Sequence, residues 1–346
     1  MDYKQIYNGF QSRYPRTIQT LDSHTAGEPT RLVVGGLPAI PGSSMAEKRL
    51  FFLEHLDDMR RLLNQEPRGN ADLLTAVLTE PVSPDCAFGL IYMDAKRYPY
   101  LCGHATIGAV ANLLETGVLA ADSREITVKV DTPSGVMPAT ARINPDGSVE
   151  SVSICTVPSF VYETDLDLQV PGQGVLKVDT VCVGGFFVMV NAAQLDLHLA
   201  DIRPDSLAAL GMQIIEEANH QLQVAHPERA EVNTIDVVEL YEHQLENPLQ
   251  GRSLVVYGEA HVDRSPCGTG TAAKVTLLYR KGRLQSHERY SNQGPAGTTF
   301  QARIVEERPI GDFPGVVVEI TGSAHITGYH QFAVDPSDPF PTGFLL

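Results

Sequence analysis

Two stretches of the chain repeat hydrophobic residues at the spacing of an amphipathic helix. The first, residues 44–64, follows two serines at positions 43 and 44 that can cap a helix start. Its apolar side chains recur every three or four positions at Leu50, Leu53, Leu56, Met59, Leu62 and Leu63. This spacing predicts one continuous helix. The second stretch, residues 204–224, predicts another helix that ends before Pro227.

Most of the remaining chain has the composition of β-strands. Residues 17–36 are β-rich around the turn signal Thr25-Ala26-Gly27, and this pattern predicts two strands around a loop that carries His24 and Glu28. Further strands are predicted within residues 118–162, 175–191 and 315–336. Residues 1–16 are predicted to form an appended tail.

One segment of the chain occurs twice. Residues 90–119 and 255–284 align without a gap on Cys102 and Cys267. The shared residues are Tyr92 and Tyr257, Ala95 and Ala260, Gly103 and Gly268, Thr106 and Thr271, Gly117 and Gly282, and Leu119 and Leu284, with Asp94 opposite Glu259. Agreement at these fixed offsets predicts a duplicated unit. Each copy predicts a strand, a short polar loop, and a helix that begins at the cysteine and ends at the glycine.

A cysteine at a helix start has distinctive chemistry. The free amide N–H groups and the helix dipole favour negative charge, so the thiol ionises more readily and a carboxylate can bind to the neighbouring amides. The glycine after each cysteine allows a ligand to approach the backbone closely. Two such units facing each other would hold one small carboxylate between two sulfur atoms.

Composition limits the classes of protein that need to be considered. The chain has 346 residues, of which 43% are hydrophobic, and the repeat favours two cores over one. It has no run of eighteen apolar residues and a polar N-terminus, so we expect a soluble, unexported protein without membrane contact. Five cysteines without close even spacing favour a reducing cytoplasm. The net charge of −16 argues against nucleic acid as a partner.

Three chemical hypotheses follow for Cys102 and Cys267. In the first, the two sulfurs flank a substrate Cα, and one thiolate removes a proton while the opposite thiol supplies one. In the second, Cys102, His104 and Cys267 bind zinc, although a fourth ligand and the short paired spacing of structural sites are missing. In the third, one cysteine is a covalent nucleophile with a histidine base, which leaves the second copy without a role.

Other polar and thiol residues have more than one interpretation. His104 could hydrogen-bond a substrate or lie at a solvated edge, and Asp263 could brace its loop or bind a ligand ammonium group. The remaining cysteines, Cys86, Cys155 and Cys182, lie in apolar, strand-like sequence and are predicted to be buried structural thiols.

From residue 17 onward, the sequence resembles the proline racemase superfamily, which includes proline racemases, 4-hydroxyproline 2-epimerases and trans-3-hydroxy-L-proline dehydratases. The blocks that carry the resemblance are DSHTAGEPTRLVVGG, EPRGN, LCGHATIG, VGGFF, DRSPCGTGT and EITGSAHITGYHQFAVDPSDP. The resemblance implies the diaminopimelate-epimerase-like fold, an α+β architecture of two pseudo-symmetric halves, each a curled sheet around a central helix. It also implies proton exchange at Cα without cofactor or metal.

The resemblance assigns roles to individual residues. Cys102 and Cys267 match the two catalytic bases. The positions whose backbone binds the substrate carboxylate are matched by Gly103, Gly268 and Thr269, and those that bind the imino nitrogen are matched by His104 and Asp263. Family dehydratases usually carry threonine where this chain has Cys267, so the second cysteine favours racemisation or epimerisation.

The expected activity is therefore that of a racemase or epimerase of proline, 4-hydroxyproline or a close cyclic imino acid. A dehydratase, and a family member with a different amino-acid ligand, are the alternatives. A homodimer is one assembly that we consider.

Several positions depart from the family pattern. Leu101 stands where methionine is usual, Ala105 where racemases tend to have asparagine and epimerases glycine, and Asn70 where histidine often occurs. Residues 292–300, NQGPAGTTF, differ from a family segment that helps to shape the ring pocket. We therefore expect the pocket wall to be altered at Gly294, Pro295 and Ala296.

The expected domain organisation follows from the duplication and the resemblance. The N-terminal half, with Cys102, is expected to comprise residues 17–165 together with about 325–346. The C-terminal half, with Cys267, is expected to comprise residues 166–324. The cleft between the halves is the expected active site.

Overall fold

The computed structural model describes residues 2–201, 203–243, 247–335 and 337–345. The helices are α1 Tyr3–Arg13, α2 Met45–His55, α3 Asp57–Asn64, α4 Gly103–Glu115, α5 Ala208–Gln221 and α6 Gly268–Arg280, with 3₁₀ turns at Ala192–Leu195 and Pro204–Leu207. The strands are β1 Thr17–Thr25, β2 Glu28–Gly35, β3 Leu74–Thr79, β4 Phe88–Met93, β5 Glu125–Thr132, β6 Gly135–Ile143, β7 Val149–Cys155, β8 Ser159–Val170, β9 Gly174–Val183, β10 Gly185–Asn191, β11 Ile235–His243, β12 Gln250–Tyr257, β13 His261–Val262, β14 Tyr290–Gln293, β15 Thr299–Glu307, β16 Gly315–Gly322 and β17 Ala324–Ala333.

The prediction of one continuous helix over residues 44–64 is wrong. Leu56 leaves the helical conformation, with φ −131° and ψ 18°, and separates α2 from α3. With the break, each helix has its own buried face: Phe52 of α2 and Met59 of α3 both enter the core. Leu50, which the continuous pattern placed on the apolar face, stays exposed. The start of α2 is as predicted, since the Ser44 side chain accepts a hydrogen bond from the Glu47 amide.

The other predicted amphipathic helix is shorter than its pattern. Residues 204–207 form a 3₁₀ turn, and the α-helix itself covers Ala208–Gln221. The N-terminal tail contains a helix that the sequence pattern did not predict. This helix, α1, buries none of its residues.

The strand pairings repeat along the chain. In the first series, β17 pairs with β1, and β1 to β7 then pair in order, with parallel pairings only at β2–β3 and β4–β5. In the second series, β8 to β12 pair in order and are followed by β14, β15 and β16, with parallel pairings only at β10–β11 and β12–β14. Strand β16 joins the two series by pairing with β7 and β8. The duplication seen in the sequence is therefore repeated in the topology.

One helix lies at the centre of each series. Helix α4 packs against β1, β7 and β17, and α6 packs against β8, β15 and β16. Both helices are buried along almost their whole length, which explains their apolar sequences. We propose that the two halves divide at the start of β8, near Ser159, because this strand pairs with β9. The predicted boundary at 165/166 would cut that strand.

Within the described ranges, no helix has the length and apolar character needed to cross a bilayer.

Candidate active site

The two central helices meet at their N-termini. Cys102 is the N-cap of α4 and Cys267 is the N-cap of α6, as the repeated segment predicted. The residues after them are in backbone contact, because a Cβ added to Gly103 would lie 3.2 Å from the Cα of Gly268, and the reverse distance is also 3.2 Å. The predicted glycines, Gly117 and Gly282, each lie two residues beyond the last residue of their helix, with φ of +72° and +68°.

A cavity of about 390 Å³ opens at this junction. Its lining includes all seven residues for which the sequence predicted a catalytic or substrate-binding role: Cys102, Gly103, His104, Asp263, Cys267, Gly268 and Thr269. The duplicated segments therefore deliver their cysteines to one shared space. The amides in the first turn of a helix have no acceptor within the helix, so both helix starts present free donors and positive dipole ends to this space.

Cys102 has an ordinary extended backbone, with φ −145° and ψ 111°. Its Sγ lies 3.3 Å from Nδ1 of His104. The hydroxyl of Thr106 donates to the Cys102 carbonyl at 2.8 Å, and the Tyr92 hydroxyl lies 2.6 Å from the same threonine. Thr25, at the end of β1, donates to the carbonyl of His104 at 2.8 Å. These bonds hold the start of α4 against β1 and β4.

Cys267 has a different backbone conformation from Cys102. Its φ is +59°, in the left-handed region that non-glycine residues rarely adopt. Its Sγ accepts a hydrogen bond from the Gly270 amide at 3.3 Å and lies 3.5 Å from the Thr269 hydroxyl. Its own amide donates to Ser265 Oγ at 3.0 Å, and Ser265 in turn donates to Asp263 at 2.7 Å. Asp263 is thus linked directly to the loop that carries the thiol.

Burial dominates the electrostatics of both thiols. It raises the pKa of Cys102 and of Cys267 well above the usual value of a thiol, and the negative charge of Asp263 raises both further. Hydrogen bonds from helix-start amides act in the opposite direction: those of Ala105 and His104 lower the pKa of Cys102, and that of Gly270 lowers the pKa of Cys267. A ligand that neutralises Asp263 would therefore favour ionisation of both thiols.

Asp263 and His104 line the cavity beside the thiols and also have shifted pKa values. Burial, together with the charge of Glu28, raises the pKa of Asp263 to about 7. Burial lowers the pKa of His104 to about 4, so His104 is neutral at neutral pH. The ionised form of Asp263 and the uncharged imidazole of His104 together form a pair suited to binding a protonated nitrogen.

A cluster of ionisable side chains that the sequence did not assign to the site lies behind Asp263, and it consists of Glu28, His261, Arg264 and Asp72. Nε2 of His261 lies 2.8 Å from Oε1 of Glu28, and the amide of Arg264 donates to the other oxygen of Glu28 at 2.7 Å. Burial opposes charge on His261, but the hydrogen bond and charge of Glu28 raise its pKa overall. The guanidinium of Arg264 also donates to Asp72 at 2.6 Å. These contacts tie the β1–β2 turn to the loop before Cys267.

The cavity wall contains residues that the sequence did not single out for the site. Tyr257, Phe187, Asp236 and the glycine pair at 184 and 185 all line it. Tyr257 belongs to the repeated segment and the glycine pair to a family block, so both signals were available in the sequence. Leu101, one of the departures from the family pattern, also lines the cavity.

The expectation for residues 292–300 is not met. None of these residues lines the cavity. Asn292 is fully buried behind the Cys267 loop, and Gly294 packs so closely on that loop that a Cβ would lie 2.3 Å from the carbonyl carbon of Ser265. Ala296 packs instead against Gly27 in the β1–β2 turn. This segment therefore supports the loop from outside the pocket, and its small residues are required by the close packing.

The remaining cysteines differ from one another. Cys182 is buried in β9, as predicted. Cys86 is buried but lies in the loop before β4 and not in a strand, and Cys155, at the end of β7, is only half-buried. All five cysteines are free.

In the part of the chain that the structure describes, no three His, Cys, Asp or Glu side chains are grouped as metal ligands. The zinc hypothesis for Cys102, His104 and Cys267 therefore gains no support from the geometry.

Comparison with known proteins identifies the family. Residues 20–345 match the family model described as proline racemase. The chain belongs to the proline racemase family. It is 40% identical to a proline racemase of Clostridioides difficile, over 96% of this chain and 99% of that protein. It is 36% identical to a 4-hydroxyproline 2-epimerase of Streptosporangium roseum, over 96% and 100%. It is 34% identical to a trans-3-hydroxy-L-proline dehydratase of Burkholderia cenocepacia, over 96% and 98%.

Solved structures agree with this assignment. A hydroxyproline epimerase from Agrobacterium vitis with bound trans-4-hydroxy-L-proline superposes with a TM-score of 0.89 at 28% identity, over 96% of both chains. A PhzF-family protein from Bacillus anthracis, at 12% identity and a TM-score of 0.58 over 92% of this chain and 99% of that one, shares the fold alone. The predicted α+β, diaminopimelate-epimerase-like fold is confirmed, and so is the prediction of an enzyme of the proline racemase family, whose named members include isomerases.

Proposed function

We propose that this protein is a cofactor-independent racemase or epimerase that acts at Cα of proline, 4-hydroxyproline or a close cyclic imino acid. The observation that carries the proposal is the meeting of two cysteine-bearing helix starts in one cavity, with Gly103 in backbone contact with Gly268. A substrate at this junction would have one sulfur on each side of its Cα. The thiolate on one side removes the Cα proton, and the thiol on the other side donates a proton to the opposite face.

The helix starts supply the electrostatic stabilisation for this reaction. The substrate carboxylate would bind to the first amides of α4 and α6, at Gly103, Gly268 and Thr269. As Cα loses its proton, negative charge moves into the carboxylate, where two dipole ends and fixed N–H donors already point. Because these donors are part of two buried helices, they need little reorganisation as charge develops.

The substrate nitrogen would bind Asp263 and His104, and this contact links binding to thiol ionisation. The charge of Asp263 raises the pKa of both thiols, so an ammonium group that neutralises it lowers both. One of the two thiols must be ionised for the two-base reaction, and their titrations are coupled across the shared substrate. We therefore propose that substrate binding itself promotes formation of the thiolate.

The size and composition of the cavity bear on the substrate. Its volume of about 390 Å³ leaves space for substituents on a five-membered ring, including a hydroxyl group. This space supports 4-hydroxyproline beside proline. The thiol at position 267 favours inversion over the dehydratase alternative, because elimination of water needs no second proton donor on the far face of the substrate. The free state of all five cysteines supports a cytoplasmic location, while the homodimer stays a prediction.

Incubation with a panel of imino acids in deuterated water tests the proposal. The true substrate should gain deuterium at Cα and lose optical purity in the same incubation. A dehydratase would instead form a cyclic ketimine, which borohydride traps as the saturated ring. The Cys102→Ser/Cys267→Ser variant serves as the matched control, and labelling that persists in this variant would contradict the two-thiol mechanism. Absence of labelling and of ketimine across the panel would contradict the substrate class.

A further inference from the structure

Two buried ionisable side chains lie behind the start of the helix that begins at Cys267. Glu239 of β11 and Lys274 of α6 are both 0% exposed. Burial raises the pKa of Glu239 to about 8 and lowers the pKa of Lys274 well below its usual value, and the charge of each partly offsets the shift of the other. The amino group of Lys274 also lies over the ring of Tyr241, 3.0 Å from its centre. Burying ionisable groups is costly, so two of them in a core need an explanation.

The pair is present in only one of the two halves. Lys274 lies seven residues after Cys267, and the residue seven after Cys102 is Ala109. Glu239 lies opposite Val255, two residues before Tyr257, in the β11–β12 pairing. The equivalent residue in the other half is Leu78, which lies opposite Leu90, two residues before Tyr92. The half that contains Cys102 is therefore uncharged at both positions, and the pair is not required by the fold shared by the halves.

Hydrogen bonds connect Glu239 to the Cys267 loop. The hydroxyl of Ser253 donates to Glu239 and lies within 3.2 Å of the Asn292 side chain. The amide of Asn292 donates to the Pro266 carbonyl at 3.3 Å and to the Thr271 hydroxyl at 2.9 Å. The chain of bonds thus runs from the buried carboxylate to the residue immediately before Cys267.

A second contact reaches the first turn of α6. A Cβ added to Gly270 would lie 3.0 Å from Oε2 of Glu239, so the carboxylate is in contact with this turn from behind. The amide of Gly270 is the group that donates to the Cys267 sulfur at 3.3 Å. Glu239 therefore restrains both the loop before the thiol and the donor after it.

Cys267 needs such restraint more than Cys102 does. Its φ of +59° is a strained conformation for a residue with a side chain, whereas Cys102 has φ −145°. A strained residue persists only where its surroundings hold it. Glu239 and its hydrogen bonds lie on the strained side of the site, whereas the equivalent strand position in the other half is Leu78.

We propose that Glu239 is a positioning residue for Cys267. It holds the loop and the first turn of α6 through Ser253, Asn292 and Gly270. The consequence for turnover depends on the proposed two-thiol mechanism, whereas the geometry of Cys267 can be measured without it.

The decisive variant is Glu239→Leu/Lys274→Met, which replaces the pair with apolar residues of similar size. Such replacement of a buried pair is often neutral for stability, so the fold should survive. With the pair lost, Cys267 should relax, and kcat should fall by about 10-fold or more with KM changed by less than about 3-fold. Cα exchange should slow mainly for the enantiomer whose proton Cys267 removes.

A readout independent of activity is the alkylation of each thiol by iodoacetamide, followed by peptide mass spectrometry. The ratio of the Cys267 rate to the Cys102 rate should change by about 3-fold or more, because thiolate reactivity depends on its local donors. Ser253→Ala, which cuts the link to Asn292 with little change in volume, should change both readouts in the same direction. Lys48→Met removes a buried lysine whose hydrogen bonds within the described residues go to Thr79 and the Glu80 carbonyl, and it should leave both readouts unchanged.

Folded double and Ser253→Ala variants with wild-type kcat and an unchanged alkylation ratio would overturn the positioning role. Equal slowing of exchange for both enantiomers would also overturn it, because a general loss of structure has that effect. An altered alkylation ratio in a protein that inverts none of the imino acids would leave the positioning role standing and reject the proposed function.

Discussion

Gly103 and Gly268 touch through their backbones, so that a Cβ on either would lie 3.2 Å from the Cα of the other. Alanine at either position must push the two helix starts apart. We expect Gly103→Ala and Gly268→Ala each to lower kcat/KM by about 100-fold, because displacement of the carboxylate-binding amides by a fraction of an ångström misplaces the substrate between the thiols. Steady-state racemisation by polarimetry measures this. Gly9→Ala in α1, where no atom lies within 4 Å of the new Cβ, is the control.

Replacement of one cysteine should separate proton exchange from inversion. In Cys102→Ser and Cys267→Ser, one proper base remains, so inversion should fall by about 1,000-fold or more while the fold stays intact. The remaining thiolate can still remove and return a proton on its own face. Each variant should therefore exchange the Cα proton of one enantiomer only, and the two variants should select opposite enantiomers. Chiral chromatography with mass detection in deuterated water measures both quantities, and inversion at near wild-type rate in either variant would exclude that cysteine.

The raised pKa of Asp263 predicts the acid limb of the pH–rate profile. Burial and the charge of Glu28 raise this pKa to about 7, so the carboxylate that we propose binds the substrate nitrogen is protonated as the pH falls below that value. We expect kcat/KM to fall by nearly 10-fold per pH unit below about pH 6. Asp263→Asn should weaken binding at all pH values and abolish this limb. A wild-type profile that stays flat down to about pH 5 would contradict the assignment.

The same shift predicts how stability changes with pH. A carboxyl group whose pKa is higher in the folded state favours folding when it is protonated, and this contribution is lost as pH rises through the folded pKa of about 7. Asp263→Asn should therefore be the more stable protein at about pH 8, by on the order of 1–4 kcal/mol, with little difference near pH 4. Urea unfolding at the two pH values gives the comparison. Equal pH dependence in both proteins would show that Asp263 is not the titrating group.

Ser265 links Asp263 to Cys267, because it donates to the carboxylate at 2.7 Å and accepts from the cysteine amide at 3.0 Å. Its hydrogen bonds lower the pKa of Asp263, so Ser265→Ala should move the acid limb to higher pH by about half a unit to one unit. It should also lower kcat by about 10-fold through a looser Cys267 loop. Ser153→Ala removes a comparable hydroxyl contact, to Thr321 between two strands, and should do neither. An unmoved limb in Ser265→Ala would contradict the link.

Much of the site was predictable because the segment that carries each cysteine occurs twice in the chain. A nucleophilic residue at the same offset from a tyrosine, a threonine and a terminal glycine predicted two helix starts, and Cys102 and Cys267 lie at those starts. The resemblance then named His104, Asp263 and Thr269, and the structure places all of them around the same cavity.

What the sequence did not predict depends on contacts between distant segments. The break at Leu56 arises because two short helices each bury a face, which periodicity cannot distinguish from one long helix. Residues 292–300 proved to be a support for the Cys267 loop and not a pocket wall, since only the fold brings Gly294 against Ser265. The hydrogen-bond chain from Glu239 through Ser253 to Asn292 joins three separate strands and has no local signature in the sequence.

The strand order also constrains how the enzyme can be made. Thr17, at the start of β1, pairs with Ala333 of β17, so β1 lacks one neighbouring strand until β17 has been synthesised. Helix α4 packs against β17, so during synthesis on a ribosome it cannot be fully enclosed before that strand has emerged. A nascent chain stalled or cleaved ahead of β17 would contain both thiols and still lack one of the strands that cover α4.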